Sequence, residues 1–468
     1  MLQPEKYPLW DLTAASGLSS RRLFSQRDGH VALGDLGDRG TRGARLALTR
    51  GKSVLISSQQ QLPVVLALLQ LDGVARRVLL CPPDLSPMHV PAVIAEAEVN
   101  VIVSDGTGPA GQSSAREGGL DLPVVSLGFD CLPGPASNQP RCVTEWLLFT
   151  SGTTGRPKIV VHTLASLTGP LDDDLAVAND AVWSTFYDIR RYGGLQILLR
   201  ALLGGGSMVL SQGNETIADF LVRAAGCGVT HISGTPSHWR LALMSPAVKK
   251  LNPAYVRLSG EVADQAILNH LATAFPKAEI AHAFASTEAG VAFDVRDGQA
   301  GFPTALIGQV GGKADMRVQD GSLRIRSART ASRYLGDSST LADADGFVDT
   351  GDMVEARGDR YYFVGRREGI INVGGQKVHP EEIESAINQH SAVLMSRVRG
   401  QRNPITGAIV VAEVVLRPTA DQISFETIKA EILAFCRGML PPHKVPVMLH
   451  EVAALDVAAS GKLVRGNA

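Results

Sequence analysis

The sequence predicts an α/β protein in two parts: a large N-terminal region of two wound βα sheets plus a distorted β-barrel, then a small α+β C-terminal region. Three observations predict it. From Ser53 onward, short β-branched runs alternate with helix-length amphipathic segments. A second alternating set begins at Asp180, and after Gly301 the texture changes to turn-rich strands. Alternation of the first kind is the mark of βαβ units on a mostly parallel sheet, and the last reads as antiparallel.

Each element follows from its pattern. SVLISS, RVLLC and VNVIVSD read as strands, with QQLPVVLALLQL and HVPAVIAEAE as the helices between them. The Gly-, Ser- and Ala-rich stretch from Gly106 to Gly119 reads as an exposed loop. The rhythm resumes with EWLLFT, the loop TSGTTGRPK (Thr150 to Lys158) and KIVVHT. In the second set, DAVWST, SMVLS, GVTHIS, AYVRLSG and AEIAHAF read as strands. GLQILLRALLGGG, ETIADFLVRAAGC and a run from about Asp264 to Phe275 read as helices. LIGQV, MRVQDGSLRIRS, GFVDTGD and DRYYFVGR are the barrel strands. Beyond Arg366, EEIESAINQH and FETIKAEILAFCRGML read as helices, with SRVRG, AIVVAEVVL and KVPVMLHEV as strands. The boundary falls near 366–369, dividing the chain into 1–365 and 366–468.

Composition narrows the functional classes. A chain of 468 residues exceeds one compact domain, and 45% hydrophobic with 19% charged residues supplies a large core and excludes global disorder. Lys plus Arg (45) nearly cancel Asp plus Glu (46), leaving a net charge of -1. That balance argues against nucleic acid or a membrane surface as partner, because binding either needs a basic excess. Five cysteines without CxxC spacing argue against a disulfide framework or a zinc site and fit a reducing compartment. The opening residues MLQPEKYPLWDL lack the apolar core of a signal peptide, and no apolar run reaches the ~20 residues of a membrane span. A cytoplasmic protein is expected, and a homodimer is the base-rate expectation for its assembly.

TSGTTGRPK is the densest chemistry on the chain. Two glycines let backbone N–H groups approach an anion; four hydroxyls, Arg156 and Lys158 add donors and charge, directly after an apolar strand. The P-loop requires G-x-x-x-x-G-K-[ST], and Gly152 and Gly155 are only three apart, so a Walker-type NTPase is disfavoured.

The loop resembles the phosphate loop of the adenylate-forming superfamily: acyl- and aryl-CoA synthetases, peptide-synthetase adenylation domains and luciferases. Four further segments resemble that family's motifs in its order: AFASTEAG (Ala283 to Gly290), GFVDTGD (Gly346 to Asp352), YYFVGRREGIINVGGQKVHPEEIE (Tyr361 to Glu384) and ASGKLVR (Ala459 to Arg465). The resemblance runs from about Ser53 to Arg465.

The resemblance implies residue roles. Thr150, Ser151, Gly152, Thr153, Thr154, Gly155 and Lys158 would hold the phosphates of ATP. Phe284 would stack on adenine, Thr287 would contact phosphate, and Glu288 would hold Mg2+. Asp352 would accept both ribose hydroxyls, and Arg366 would contact ribose and phosphate. Glu368 falls at the hinge of a mobile C-terminal domain, and Gly374 and Gly375 would form the loop along which a thiol enters. Lys462 would bridge the attacking carboxylate and the α-phosphate. Two departures stand out: Ala285 replaces the family's usual glycine, and Gly369 replaces an acid beside the hinge. For the acid pocket, Tyr187, Tyr192, Gly193 and Gly260 are the candidates, with Tyr192-Gly193 falling where benzoate-type ligases carry a Tyr-Gly pair. Asp188 lies about four residues off the register of the aspartate that binds an amino acid's ammonium. Arg190 and Arg191 meet a second anionic group or lie on the surface, the surface being expected for at least one.

The implied activity is ATP-dependent activation of a small carboxylic acid to an acyl- or aryl-adenylate, then transfer to a thiol, first of all coenzyme A. The alternatives are loading of a carrier-protein phosphopantetheine and, from a different class, an inert nucleotide-binding interaction protein.

Overall fold

The computed structural model describes residues 3–17, 21–25, 29–36, 48–110, 122–126, 142–150, 157–169, 180–212, 215–309, 313–336, 340–417, 424–458 and 460–465. Among these, two large sheets carry the N-terminal part. One has the strand order 333–334, 159–163, 145–149, 77–80, 53–57, 101–104, 124–126, parallel from 145–149 to 124–126. The other runs 290–295, 279–286, 255–259, 231–234, 182–185, 207–209, 22–25, 29–32, and its six inner strands are parallel. A five-stranded antiparallel sheet (302–303, 360–366, 348–357, 322–326, 315–319) supplies the barrel-like layer.

Helices Gln61–Leu71 and Tyr192–Leu203 belong to one apolar cluster with residues of both large sheets, including Val54, Trp146, Trp183 and Met208. The first was expected to be amphipathic. Instead every residue from Gln61 to Leu71 except Pro63 is buried, as an all-round apolar helix between two sheets must be. KIVVHT also departs from a βα crossover. It folds back antiparallel on EWLLFT, with Phe149 opposite Ile159 and the Thr150 N–H on the Lys158 carbonyl at 2.9 Å. LIGQV is not a strand over its described residues. Leu306 ends a 3-10 turn, and Gly308 at φ +78° breaks any extended run. Gly108 and Ala110, expected on an exposed loop, are buried against Ser57, whose hydroxyl accepts the Ala110 N–H at 3.0 Å.

The first fifty residues, which carried no sequence pattern, still contribute. Helix Leu9–Ala15 packs on the apolar cluster, and strand Arg22–Ser25 extends the second sheet. Arg21 is buried and donates to the carbonyls of Thr13, Gly17, Ala201, Leu202 and Gly206, satisfying acceptors left over where helix Tyr192–Leu203 ends.

Beyond Arg366 a small sheet (393–403, 407–416, 448–451) and helices Pro380–Ile387 and Phe425–Met439 close a core of their own, from Ile371 to Leu449. This part docks on the larger one through a buried polar cluster. Arg240 pairs with Asp264 at 2.5 Å, and Asn388 donates to the same carboxylate at 3.0 Å while accepting from Ser396 at 2.9 Å.

Asp72 is a second buried polar anchor. Its carboxylate accepts the Leu9 N–H at 2.7 Å and the Trp146 indole N–H at 2.9 Å, while burial lifts its pKa to about 6. Asp72→Ala orphans both donors and is expected to lower stability by about 2–4 kcal/mol in urea unfolding. A carboxyl whose folded pKa is raised contributes most at low pH. The gap between wild type and variant should therefore narrow as pH rises from the ordinary value near 3.8 through about 6.

Candidate active site

A cavity of about 1530 Å³ lies where the second sheet, the antiparallel sheet and the small C-terminal part meet. Thr150, Lys158, Tyr187, Tyr192, Gly193, Gly260, Phe284, Thr287, Glu288, Asp352, Arg366, Glu368 and Lys462 all line it. These residues span more than three hundred positions of sequence.

One wall is the hairpin of strands 279–286 and 290–295. Phe284 stacks on Phe363 with ring centroids 5.3 Å apart and planes within 10°. The turn after it is held by its main chain. The Thr287 carbonyl faces His162 Nε2 at 2.8 Å, and the Glu288 carbonyl accepts the Ala331 N–H at 2.9 Å. Gly290 closes the turn at φ +76°, where a Cβ would meet the Arg329 carbonyl at 2.6 Å, so only glycine fits. With its backbone pinned, the turn presents Thr287 and Glu288 to the cavity.

The antiparallel sheet supplies the opposing charges. Asp352 sits opposite Arg366 in strand register, with Nε and Oδ1 3.9 Å apart, and Arg366 also donates to the Thr350 carbonyl at 3.1 Å. Burial raises the Asp352 pKa, against the pull of Arg366 and Lys462. Lys462 reaches the same space from the far end of the chain. Its Cε lies 3.6 Å from where a Gly260 Cβ would be. Burial and the Arg366 charge lower its pKa, opposed by Glu261, Asp352 and Glu288.

Another part of the cavity wall is aromatic. The Tyr187 ring packs on Gly193, and its hydroxyl donates to the Ser259 carbonyl at 2.6 Å. Tyr192 is buried beside His162, with ring centroids 5.6 Å apart. Asp188 is unsuited to hold an ammonium, because Arg190 already pairs with it at 2.5 Å. Arg190 is not on the surface: its side chain is buried and also donates to the Ser58 carbonyl. Arg191 pairs with Asp84 at 2.6 Å and lines the cavity.

Of the sequence-derived candidates, the glycine pair of the small part falls elsewhere. Gly374 and Gly375, at φ +58° and +83°, form the two-residue turn between strands 371–373 and 376–378. Gly375 borders a separate cavity of about 340 Å³ rather than the main one. Glu368 is exposed on the 3-10 turn Arg367–Gly369. Lys158 lies over the Tyr334 ring at 5.2 Å. Ser151, Gly152, Thr153, Thr154 and Gly155 lie outside the described residues. No cluster of three or more metal-ligating side chains occurs among the described residues.

A family model of AMP-binding enzymes matches residues 45–330, and one of the AMP-binding enzyme C-terminal domain matches residues 382–462. The chain belongs to the AMP-binding enzyme family. Similar proteins include a 2-succinylbenzoate–CoA ligase of Bacillus velezensis, 26% identical over 340 residues that cover 69% of this chain and 68% of that protein. A sulfoacetate–CoA ligase of Cupriavidus necator is 26% identical over 416 residues, covering 81% and 79%. A benzoate CoA ligase of Burkholderia xenovorans LB400 shares the fold, with a TM-score of 0.81 at 21% identity and 99% of both chains covered.

In this AMP-binding enzyme several site residues carried no sequence signal. His162 and Ala331 act through carbonyls, and Thr235, His238 and Glu261 gather around the Lys462 segment. Gly194 alone had a readable clue, being the second glycine of Tyr192-Gly193-Gly194, and a Cβ there would overlap the Asp188 carbonyl. His162 Nε2 faces an acceptor, so that nitrogen carries the proton, and burial holds the ring's pKa at about 4. A histidine with a lowered folded pKa adds stability that is complete above its ordinary value near 6.5 and is lost as pH falls toward about 4. His162→Phe should therefore flatten the pH dependence of unfolding across that window by roughly 3 kcal/mol, measured by denaturant titration.

Proposed function

We propose that this enzyme joins a small carboxylic acid to ATP, releasing pyrophosphate, and then passes the acyl group to the thiol of coenzyme A. A carboxylate oxygen attacks the α-phosphorus as the bond to pyrophosphate breaks. The thiol sulfur then bonds to the acyl carbon as the carbon–oxygen bond to AMP breaks, and the thiol proton leaves. The observation that carries this reading is the meeting of Lys462 with Asp352, Arg366 and Glu288 in one cavity.

Both reactants are anions, so the barrier is largely repulsion plus alignment. Lys462 is assigned to bridge the attacking carboxylate and the α-phosphate. Asp352 is suited to the ribose hydroxyls, since a carboxylate accepts two O–H donors at once. Arg366 is assigned to ribose and phosphate, Phe284 to the adenine face, and Thr287 to phosphate. The loop Thr150 to Lys158 is assigned to the leaving pyrophosphate. A single carboxylate suits Mg2+, which takes most of its ligands from phosphate and water, so Glu288 is the assigned protein ligand. When bound, Mg2+ would share the phosphate charge.

The acid is assigned to the pocket of Tyr187, Tyr192, Gly193 and Gly260. An aryl or compact acid fits its aromatic walls, and the names of the ligases acting on 2-succinylbenzoate, sulfoacetate and benzoate support that class. We read 1–365 and 366–468 as two domains hinged at 366–369. Gly374 and Gly375 lie off the main cavity with Lys462 inside it, which supports a rotation of the smaller domain between the two half-reactions.

An acid-dependent ATP–pyrophosphate exchange screen tests the reading, followed by thioester assays with free coenzyme A and with carrier proteins. Exchange with no benzoate, short acid or amino acid would count against it, and thioester formed only on a carrier protein would replace coenzyme A as the acceptor. Lys462→Ala should abolish acyl-adenylate formation while sparing thioester formation from supplied acyl-adenylate; equal loss of both refutes the assigned role. Because burial and Arg366 lower the Lys462 pKa, the ammonium is lost at lower pH than an ordinary lysine's. The alkaline limb of kcat/KM for ATP should therefore fall below about 10.4, and Arg366→Gln should move it upward.

A further inference from the structure

We propose that Glu261 and Thr235 form a clasp on the main chain either side of Lys462, positioning its ammonium for adenylation. The inference rests on the role assigned to Lys462 above. Thr235 donates its hydroxyl to the Gly461 carbonyl at 2.5 Å, and Glu261 Oε1 accepts the Leu463 N–H at 2.8 Å. The residues immediately before and after Lys462 are thus each held by one side chain of the large part.

Both grips are themselves braced. Glu261 Oε2 accepts the Ser237 N–H at 2.9 Å, so the carboxylate is a strut between the start of helix Pro236–Met244 and the tail. The Thr235 hydroxyl also accepts the His238 N–H at 3.0 Å, which fixes it as the cap of that helix. Gly461, at φ +78°, lies against the His238 imidazole so closely that a Cβ would overlap the ring. On the other side, Arg465 ties the tail to the small part by pairing with Glu384 at 2.6 Å and Glu381 at 3.3 Å. The tail is therefore a bridge, and Thr235 and Glu261 are its end on the large part.

A clasp built from two hydrogen bonds to backbone can let go without leaving a buried charge on the departing segment. Glu261 also lies near enough to favour the charged form of Lys462.

These are positioning residues, so the test separates half-reactions and includes a conformational readout. Glu261→Ala should lower kcat for ATP–pyrophosphate exchange by about 30-fold, within the range a misplaced group costs, with little change in KM. Thioester formation from supplied acyl-adenylate should fall far less, shifting the ratio of the two rates at least about tenfold. Glu261→Gln keeps one acceptor oxygen and should be intermediate. Thr235→Val should act in the same direction, and Thr235→Ser should restore the rate. Trypsin should cut after Lys462 faster in Glu261→Ala than in wild type, with the site read by mass spectrometry. Exchange and cleavage both unchanged, or both half-reactions falling equally, would overturn the clasp. Lys462→Ala is the control: if it too retains exchange, the role assigned to Lys462 fails, whereas retention in the Glu261 variants alone defeats only the clasp.

Discussion

Lys462 brings an ammonium into a cavity where burial disfavours it and where the Arg366 guanidinium adds repulsion. What opposes both is a ring of carboxylates, Glu261, Asp352 and Glu288, contributed by three separate stretches of chain. A lysine held in this way is weakly hydrated, and an incoming pair of anions would relieve that cost. The rest of the site can be read as what is needed to assemble these charges at one point.

Assembly depends on main-chain constraints more than on side-chain pairs. The hairpin after Phe284 keeps its shape because two carbonyls are tied down and Gly290 takes a conformation closed to other residues. The tail keeps its path because Thr235 and Glu261 bind its backbone and Arg465 anchors its end. The buried cluster of Arg240, Asp264 and Asn388 then sets the small part against the large one. Breaking one partner of such a cluster leaves a buried charge uncompensated, which makes this docking geometry specific as well as firm.

The aromatic part of the cavity wall is shaped by neutralisation. Asp188 and Arg190 cancel one another beneath it, and the Tyr187 hydroxyl is spent on Ser259. What they leave near Gly193 is ring surface. An ammonium there would find Asp188 already paired with Arg190.

Much of this was legible in one dimension. The alternation of β-branched runs with helix-length segments gave both wound sheets, because side-chain periodicity is dictated locally. Asp352, Arg366 and Lys462 stood in segments marked by their resemblance to the motifs of a known family. Local pattern failed where burial was decided by partners. Helix Gln61–Leu71 read as amphipathic although two sheets enclose it, and KIVVHT read as a crossover strand although it folds back. Arg190 read as a surface candidate because its partner Asp188 sits two residues away, a pairing that only burial makes informative. His162, Thr235 and Glu261 were invisible for a related reason: each acts on a backbone atom, 125, 226 and 202 positions distant respectively. The sequence by itself determined the kinds of most elements and marked candidate residues for the site. Only the tertiary structure decided which backbone atoms those side chains hold, because hydrogen bonds to main chain carry no trace of their partner's identity in the sequence.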